Sequence, residues 1–339
     1  MGSVQPRSVR RSVRAFVDAV WRPSPRSLCR LAFASVVVNV AIVLSGGAVR
    51  LSESGLGCPT WPRCTGDSLV PVDTPGTPFT HMLIEFGNRL VTFLVLAVAV
   101  LCFVAALRLV PRRRDIVVLA TAQPLAIIAQ AGFGGVLVLT ELSPTWLSAH
   151  FMVSMGVLAA TIALYARAKE GDGPPKPLVR IELRLLGRAL LAVVFVLLAV
   201  GTVVTGTGPH GGDAGSPRYA FSIERVAQLH ADLAWVTLGL TFALVLALRL
   251  TNAPRRATAL AGQLLAVELA QGAIGYAQFF LGVPPVLVGL HMLGASVLWV
   301  WAWRVAFALR ERTSEAVTPG PERVPAASPA PVSAEGARH

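Results

Sequence analysis

The 339-residue chain is 54% hydrophobic and only 14% charged, where a soluble domain carries about 25% charged residues, so an ordinary soluble globule is excluded. The formal charge of +12 invites a nucleic-acid reading. The basic residues instead sit in short clusters between apolar runs, where topology signals lie, and no nucleic-acid partner is expected.

Residues 1–28 are rich in Arg and Ser and lack the apolar core and cleavage site of a signal peptide. They read as a cytoplasmic lead-in. A membrane helix needs about 20 apolar residues, and eight runs qualify: 29–49, 82–107, 116–139, 147–166, 189–206, 223–248, 257–281 and 286–308. Short Pro-containing turns near Ser143 and Pro284 join antiparallel neighbours. From Thr313 to His339 the chain is rich in Pro, Ala and Ser without periodicity, which predicts a disordered tail. Lys and Arg crowd the lead-in and the loops after spans 2, 4 and 6, while the opposite loops hold only Arg50, Arg63 and Arg218. Basic loops stay in the cytoplasm. Both termini are therefore expected inside, in a multi-pass protein of the plasma membrane.

The two halves repeat. Gln130 in QAGFGG aligns with Gln271 in QGAIGY, His150 with His291, and span 2 with span 6, setting Asn88 opposite His230. Each unit has four spans, so the copies share one orientation. Transporters use such parallel repeats too, and the repeat alone gives no function.

Ionisable groups inside a bilayer usually mark a function. His150, His230 and His291 fall within about two turns of the outward ends of spans 4, 6 and 8. One such His can be an interhelical hydrogen bond worth about 1 kcal/mol. The pair His230 and His291 in one four-helix unit points further, to axial ligation of haem iron, with Gly272 and Gly275 letting a flat macrocycle approach. In the other half Asn88 replaces the second His, and an amide is a poor iron ligand. If a haem binds there, His150 would hold one face and the other would be open or weakly held; an open position suits chemistry where a closed bis-His site suits electron transfer. His81, Glu85 and Asn88 share a helical face, followed by Arg89. Glu85 can move protons or hold charge near a reacting haem edge, or form a structural pair with Arg89 or His81. His81 lies at the membrane surface, and His210 reads as a loop-stabilising residue. Cys29 and Cys102 read as apolar fillers. Cys58 and Cys64, on an outward loop, favour a disulfide, with a redox role open. Zinc would need two further ligands.

The run GGAVRLSESGLGCPTWPRC, the span-2 run IEFGNR and the outer histidines of spans 4, 6 and 8 resemble the haem A synthase family, in a form with one extracytoplasmic cysteine pair. The resemblance covers about residues 29–309. It implies an all-α integral membrane protein whose eight transmembrane helices form two pseudo-symmetric four-helix bundles. These would be residues 29–167, the substrate haem site, and 189–312, the haem b site, joined by a cytoplasmic linker over 168–188. It implies an oxidoreductase that converts haem O to haem A by oxidising a porphyrin methyl group to formyl. His230 and His291 would hold the haem b cofactor. His150, with Asn88 and His81 nearby, would receive substrate haem, and Glu85 would be the essential acid. The Cys58–Cys64 pair would pass reducing equivalents or meet the substrate. Expected partners are haem O, haem A, the lipid bilayer, an unidentified electron donor and the haem O synthase (protohaem farnesyltransferase). The alternative is a di-haem b-type electron carrier, which requires two bis-His sites. A transporter would place its polar groups near the bilayer midplane, and here they gather at one end.

Overall fold

The computed structural model describes residues 22–313, so most of the predicted lead-in and all but the first residue of the predicted tail lie outside the described residues. Among the described residues, eight helices long and apolar enough to cross a membrane follow one another. They are α1 (Pro25–Leu51), α2 (Phe79–Arg108), α3 (Arg114–Leu139), α4 (Pro144–Lys169), α5 (Ile181–Thr207), α6 (Ile223–Leu250), α7 (Arg255–Phe280) and α8 (Pro285–Ala308).

Local chemistry sets their ends. At α1, the Ser24 hydroxyl accepts from the Ser27 amide and the Ser27 hydroxyl accepts from the Ser24 amide, a reciprocal capping box ahead of Pro25. Helices α4 and α8 also open on proline, whose missing N–H costs nothing in the first turn. The helices overrun the apolar runs: α5 begins at Ile181, ahead of the predicted Ala189, and takes much of the expected linker. The remaining linker contributes β1 (Lys176–Pro177), which pairs antiparallel with β2 (Arg310–Glu311) beyond α8.

Two turns carry the repeat into the backbone. Glu141 and Leu142 have φ of 52° and 60°, and Gly282 and Val283 have φ of 74° and 61°. A left-handed conformation is uncommon outside glycine. Two in succession recur at the spacing that separates His150 from His291.

Helices α1–α4 pack as a ring in chain order, with α1 closing on α4, and α5–α8 do the same. The halves meet where α1 and α4 lie against α5 and α8. Val36, Met155, Leu158 and Ile162 there join one buried cluster with Leu190, Leu244 and Trp299, and the Trp299 indole donates to the Met155 carbonyl (2.8 Å). Outward-facing Phe93, Leu125, Ile128, Trp235 and Phe242 are exposed, an apolar belt far beyond what a soluble monomer shows. Free Cys102 is buried in a satellite cluster with Leu28, Ala32 and Ile116, and Cys29 is half-buried, as apolar fillers should be.

The two ends of the bundle differ. At the basic end, Arg167 pairs with Asp115 (2.5 Å) and Glu170 (2.7 Å), and Arg113 pairs with Asp172. The other end carries the histidines.

Candidate functional site

His150 and His291 are each the seventh residue of a proline-initiated helix, and His230 is the eighth residue of α6. At 1.5 Å per residue all three lie about 10 Å in from the histidine end. The His230 and His291 rings face each other across the interior of the second ring, with centroids 6.2 Å apart and planes at 74°. Two metal–imidazole bonds of about 2 Å each, plus the reach from each nitrogen to its centroid, give about 6 Å. The separation therefore fits one metal ion between the two rings.

These rings are short of partners. Among the described residues, Nδ1 of His150 and of His291 is buried with no hydrogen bond, and Nδ1 of His230 has none of normal geometry. A buried polar atom left unpaired costs about 1–3 kcal/mol, and the same ring atom is left so at all three histidines. Glycine makes room beside them. A Cβ on Gly201 would sit 3.0 Å from Cε1 of His230, and one on Gly275 would sit 3.5 Å from Cε1 of His291. Gly134, the counterpart of Gly275, stands beside His150 in the same way (4.0 Å). Gly272, by contrast, meets nothing within 4 Å. Haem is a group these residues would fit: His230 and His291 could hold one between them, and His150 alone could hold another.

The first half departs from this pattern at Asn88. Its side-chain oxygen accepts from the Ser45 hydroxyl (2.7 Å). Ser45 and Gly201 are each the twenty-first residue of a 27-residue helix. The pair Ser45–Asn88 therefore takes the place of Gly201–His230, and the amide is tied to α1. Gln130 fastens the neighbouring helices, donating to the His150 carbonyl (3.0 Å) and to the Ser154 hydroxyl (2.5 Å).

Glu85 is buried (5% exposed) and fully engaged. One oxygen accepts the Cys58 amide (2.6 Å) and the other accepts Arg89 (2.6 Å). Arg89 goes on to the carbonyls of Cys58 (3.0 Å), Thr60 (3.1 Å) and Arg63 (3.1 Å). The carboxylate thus clamps the 58–64 loop onto α2. Cys58 and Cys64 are joined as a disulfide, which removes the thiolates a zinc site would need. Among the described residues no cluster of three or more His, Cys, Asp and Glu has the arrangement of a metal site. The loop sits tight: a Cβ on Gly57 would lie 2.4 Å from the His81 carbonyl oxygen, and Trp61 packs on Gly135 of α3. His81 itself is in the first turn of α2, about 10 Å along the axis from Asn88.

Arg50 and Ser45 are what sequence reasoning missed. Arg50, buried at the end of α1, donates to the carbonyls of His210 and of Thr205 (2.6 Å). The Gly55 amide donates to the Gly212 carbonyl (2.8 Å). A His210 ring nitrogen meets the Val283 carbonyl (2.9 Å), the loop-stabilising role expected of it. Three connecting segments are thereby stitched into one cover over the histidine end.

Curated relatives carry the same kind of assignment. The chain is 33% identical over 139 residues to "Heme A synthase" of Halalkalibacterium halodurans, covering 41% of this chain and 45% of that protein. It is 36% identical over 140 residues to "Heme A synthase" of Lysinibacillus sphaericus, covering 41% and 44%. A third match, 28% identical over 324 residues, is to "Protoheme IX farnesyltransferase" of Thermus thermophilus, with 88% of this chain and 51% of that protein covered. The chain spans about half the length of the relatives it matches. The family described as cytochrome oxidase assembly protein, COX15-CtaA, matches residues 29–210, more than half of the sequence, and the chain belongs to that family.

Proposed function

We propose that this protein is a haem A synthase, an oxidoreductase that takes haem O in its first helix ring and converts a porphyrin methyl group to formyl. The observation that carries the reading is the asymmetry of the two rings. One offers two imidazoles at metal-bridging separation; the other offers one imidazole and an amide held by Ser45. A closed pair suits electron transfer and an open position suits chemistry. A di-haem carrier would need the closed pair twice.

In this reading His230 and His291 would hold haem b, which would supply one-electron transfer. His150 binds and orients the substrate haem. Glu85, with both oxygens fixed by Cys58 and Arg89, holds negative charge, or a proton, beside the reacting edge. The disulfide loop fixes Glu85 and excludes water from that side. Domain roles follow: 29–167 for substrate, 189–312 for haem b. The basic clusters argue for cytoplasmic termini in the plasma membrane. Methyl to formyl is a four-electron oxidation that adds one oxygen atom, so an external oxidant of the dioxygen class, with an electron donor to reduce its remaining oxygen to water, completes the set of partners. The long match to a protohaem farnesyltransferase supports placing the haem O synthase next to this chain.

The test is expression in cells that make haem O but lack a haem A synthase, followed by extraction and identification of the bound haems. Haem A in the wild type, lost in Glu85→Ala while haem b is retained, is the expected result. Haem b alone, with neither haem O nor haem A, would favour the electron carrier.

A further inference from the structure

The basic end holds a hollow that the haem chemistry does not use. It lies between the start of α5 and the end of α8 and measures about 470 Å³. Arg184, Arg188 and Arg310 line it, with Trp303, Phe307 and Leu191. No carboxylate is among its lining residues. Among the described residues the carboxylate nearest Arg310 is that of Glu170, at 3.6 Å, already held by Arg167 at 2.7 Å.

Two buried donors in this lining have no acceptor among the described residues: Nε of Arg184 and Nε1 of Trp303. Leaving such a donor unpaired is costly, and three guanidiniums together repel one another. Both demands are met by one anion with several acceptor oxygens, and guanidinium matches phosphate closely. The other wall is apolar. Trp303 stacks on Phe307 (centroids 5.6 Å), and the Arg310 guanidinium lies over Phe307 (5.2 Å). Exposed Ile181 and Leu185 continue the apolar surface along α5. Phosphate chemistry at a helix end beside a lipid-facing apolar groove describes a phospholipid, and basic pockets between membrane helices take anionic head groups.

We propose that the Arg184–Arg188–Arg310 hollow binds the phosphate of an anionic phospholipid, its acyl chains lying along α5 and α8. The site pins β1 and β2 to the membrane surface at the junction of the linker and α8. It stands independently of the haem reading.

The test uses the full-length protein, purified and stripped of lipid in detergent, with binding read by native mass spectrometry. Dioleoyl phosphatidylglycerol should bind at one per chain, and dioleoyl phosphatidylcholine at least tenfold more weakly. Millimolar inorganic phosphate should not displace the lipid. Arg184→Gln with Arg188→Gln should weaken phosphatidylglycerol binding at least tenfold, while Arg180→Gln, at an exposed residue outside the hollow, should leave it unchanged. If the double variant does not fold, Trp303→Phe keeps an aromatic ring beside Phe307 while removing the orphan N–H, and should weaken binding several-fold. Equal binding of the two lipids, or unchanged binding in the variants, would overturn the proposal. So would full displacement by inorganic phosphate, which would mark a free-anion site.

Discussion

Exchanging the pair Ser45–Asn88 for its counterpart in the other ring tests whether Asn88 keeps an iron face open. In Ser45→Gly/Asn88→His the first ring acquires the Gly–His pair that α5 and α6 already hold. The variant gives up one interhelical hydrogen bond of 2.7 Å, worth about 0.6–1.7 kcal/mol in membrane helices. Asn88→His alone should be worse. A Cβ at Gly201 would already stand 3.0 Å from the His230 ring, and Ser45 carries a Cβ and a hydroxyl at the equivalent place. Overpacking of that kind costs about 1–3 kcal/mol, so the double variant should be the more stable of the two. The assay is optical and paramagnetic-resonance spectroscopy of the purified, haem-loaded protein. Wild type should show one low-spin haem, from His230 and His291, and one haem with an exchangeable face. The double variant should show two low-spin haems. Carbon monoxide affinity at the first site should fall at least tenfold, about 1.4 kcal/mol. A second site whose spectrum and carbon monoxide affinity do not change, with the His230–His291 signal intact, would refute the placement of Asn88 at the iron.

Other outcomes follow from the same geometry. Glu85→Gln keeps an acceptor for the Cys58 amide but removes the charge facing Arg89. Haem A yield should collapse in extracted pigments, with haem b content unchanged and a stability loss of about 1–3 kcal/mol by thermal unfolding. Cys58→Ser with Cys64→Ser removes the closure of the 58–64 loop. It should lower thermal stability by about 2 kcal/mol and reduce product formation, again without loss of haem b. Gly57→Ala forces a Cβ within 2.4 Å of the His81 carbonyl and should destabilise the loop as measured by proteolysis. Gly66→Ala, which meets nothing within 4 Å, should be silent. His291→Ala or His230→Ala should abolish the low-spin signal and leave substrate haem binding at His150.

Much of this arrangement is written locally and is legible in the chain. Apolar runs locate all eight spans because a bilayer imposes length and composition on every helix that crosses it. The repeat is legible because Gln130, His150 and the following residues recur at fixed spacing. Helix ends are less so: α5 begins in the arginine-bearing stretch 181–188, which hydropathy scores against a helix although its backbone bonds are satisfied there. Ser45 was invisible because a serine in an apolar helix gains meaning only from the residue across the interface. Charge alone places Arg50 in a loop, yet its donors end on His210 and Thr205, some 155 to 160 residues away in sequence. Glu85 was legible as a polar residue on the face of His81 and Asn88. Its tie to the Cys58 amide was not, since backbone donors carry no signal in the side-chain pattern.

The two helices that bear His230 and His291 sit diagonally in their ring and do not pack directly on one another. Whatever joins the imidazoles therefore acts as a cross-brace on a frame otherwise held only along its sides. Occupancy of that position would add stability by mass action, so the chain with its pigment bound would resist unfolding better than the same chain without it. Supply of the pigment would then set how much of the protein survives quality control, and a starved cell would hold less of it rather than the same amount in an inactive form.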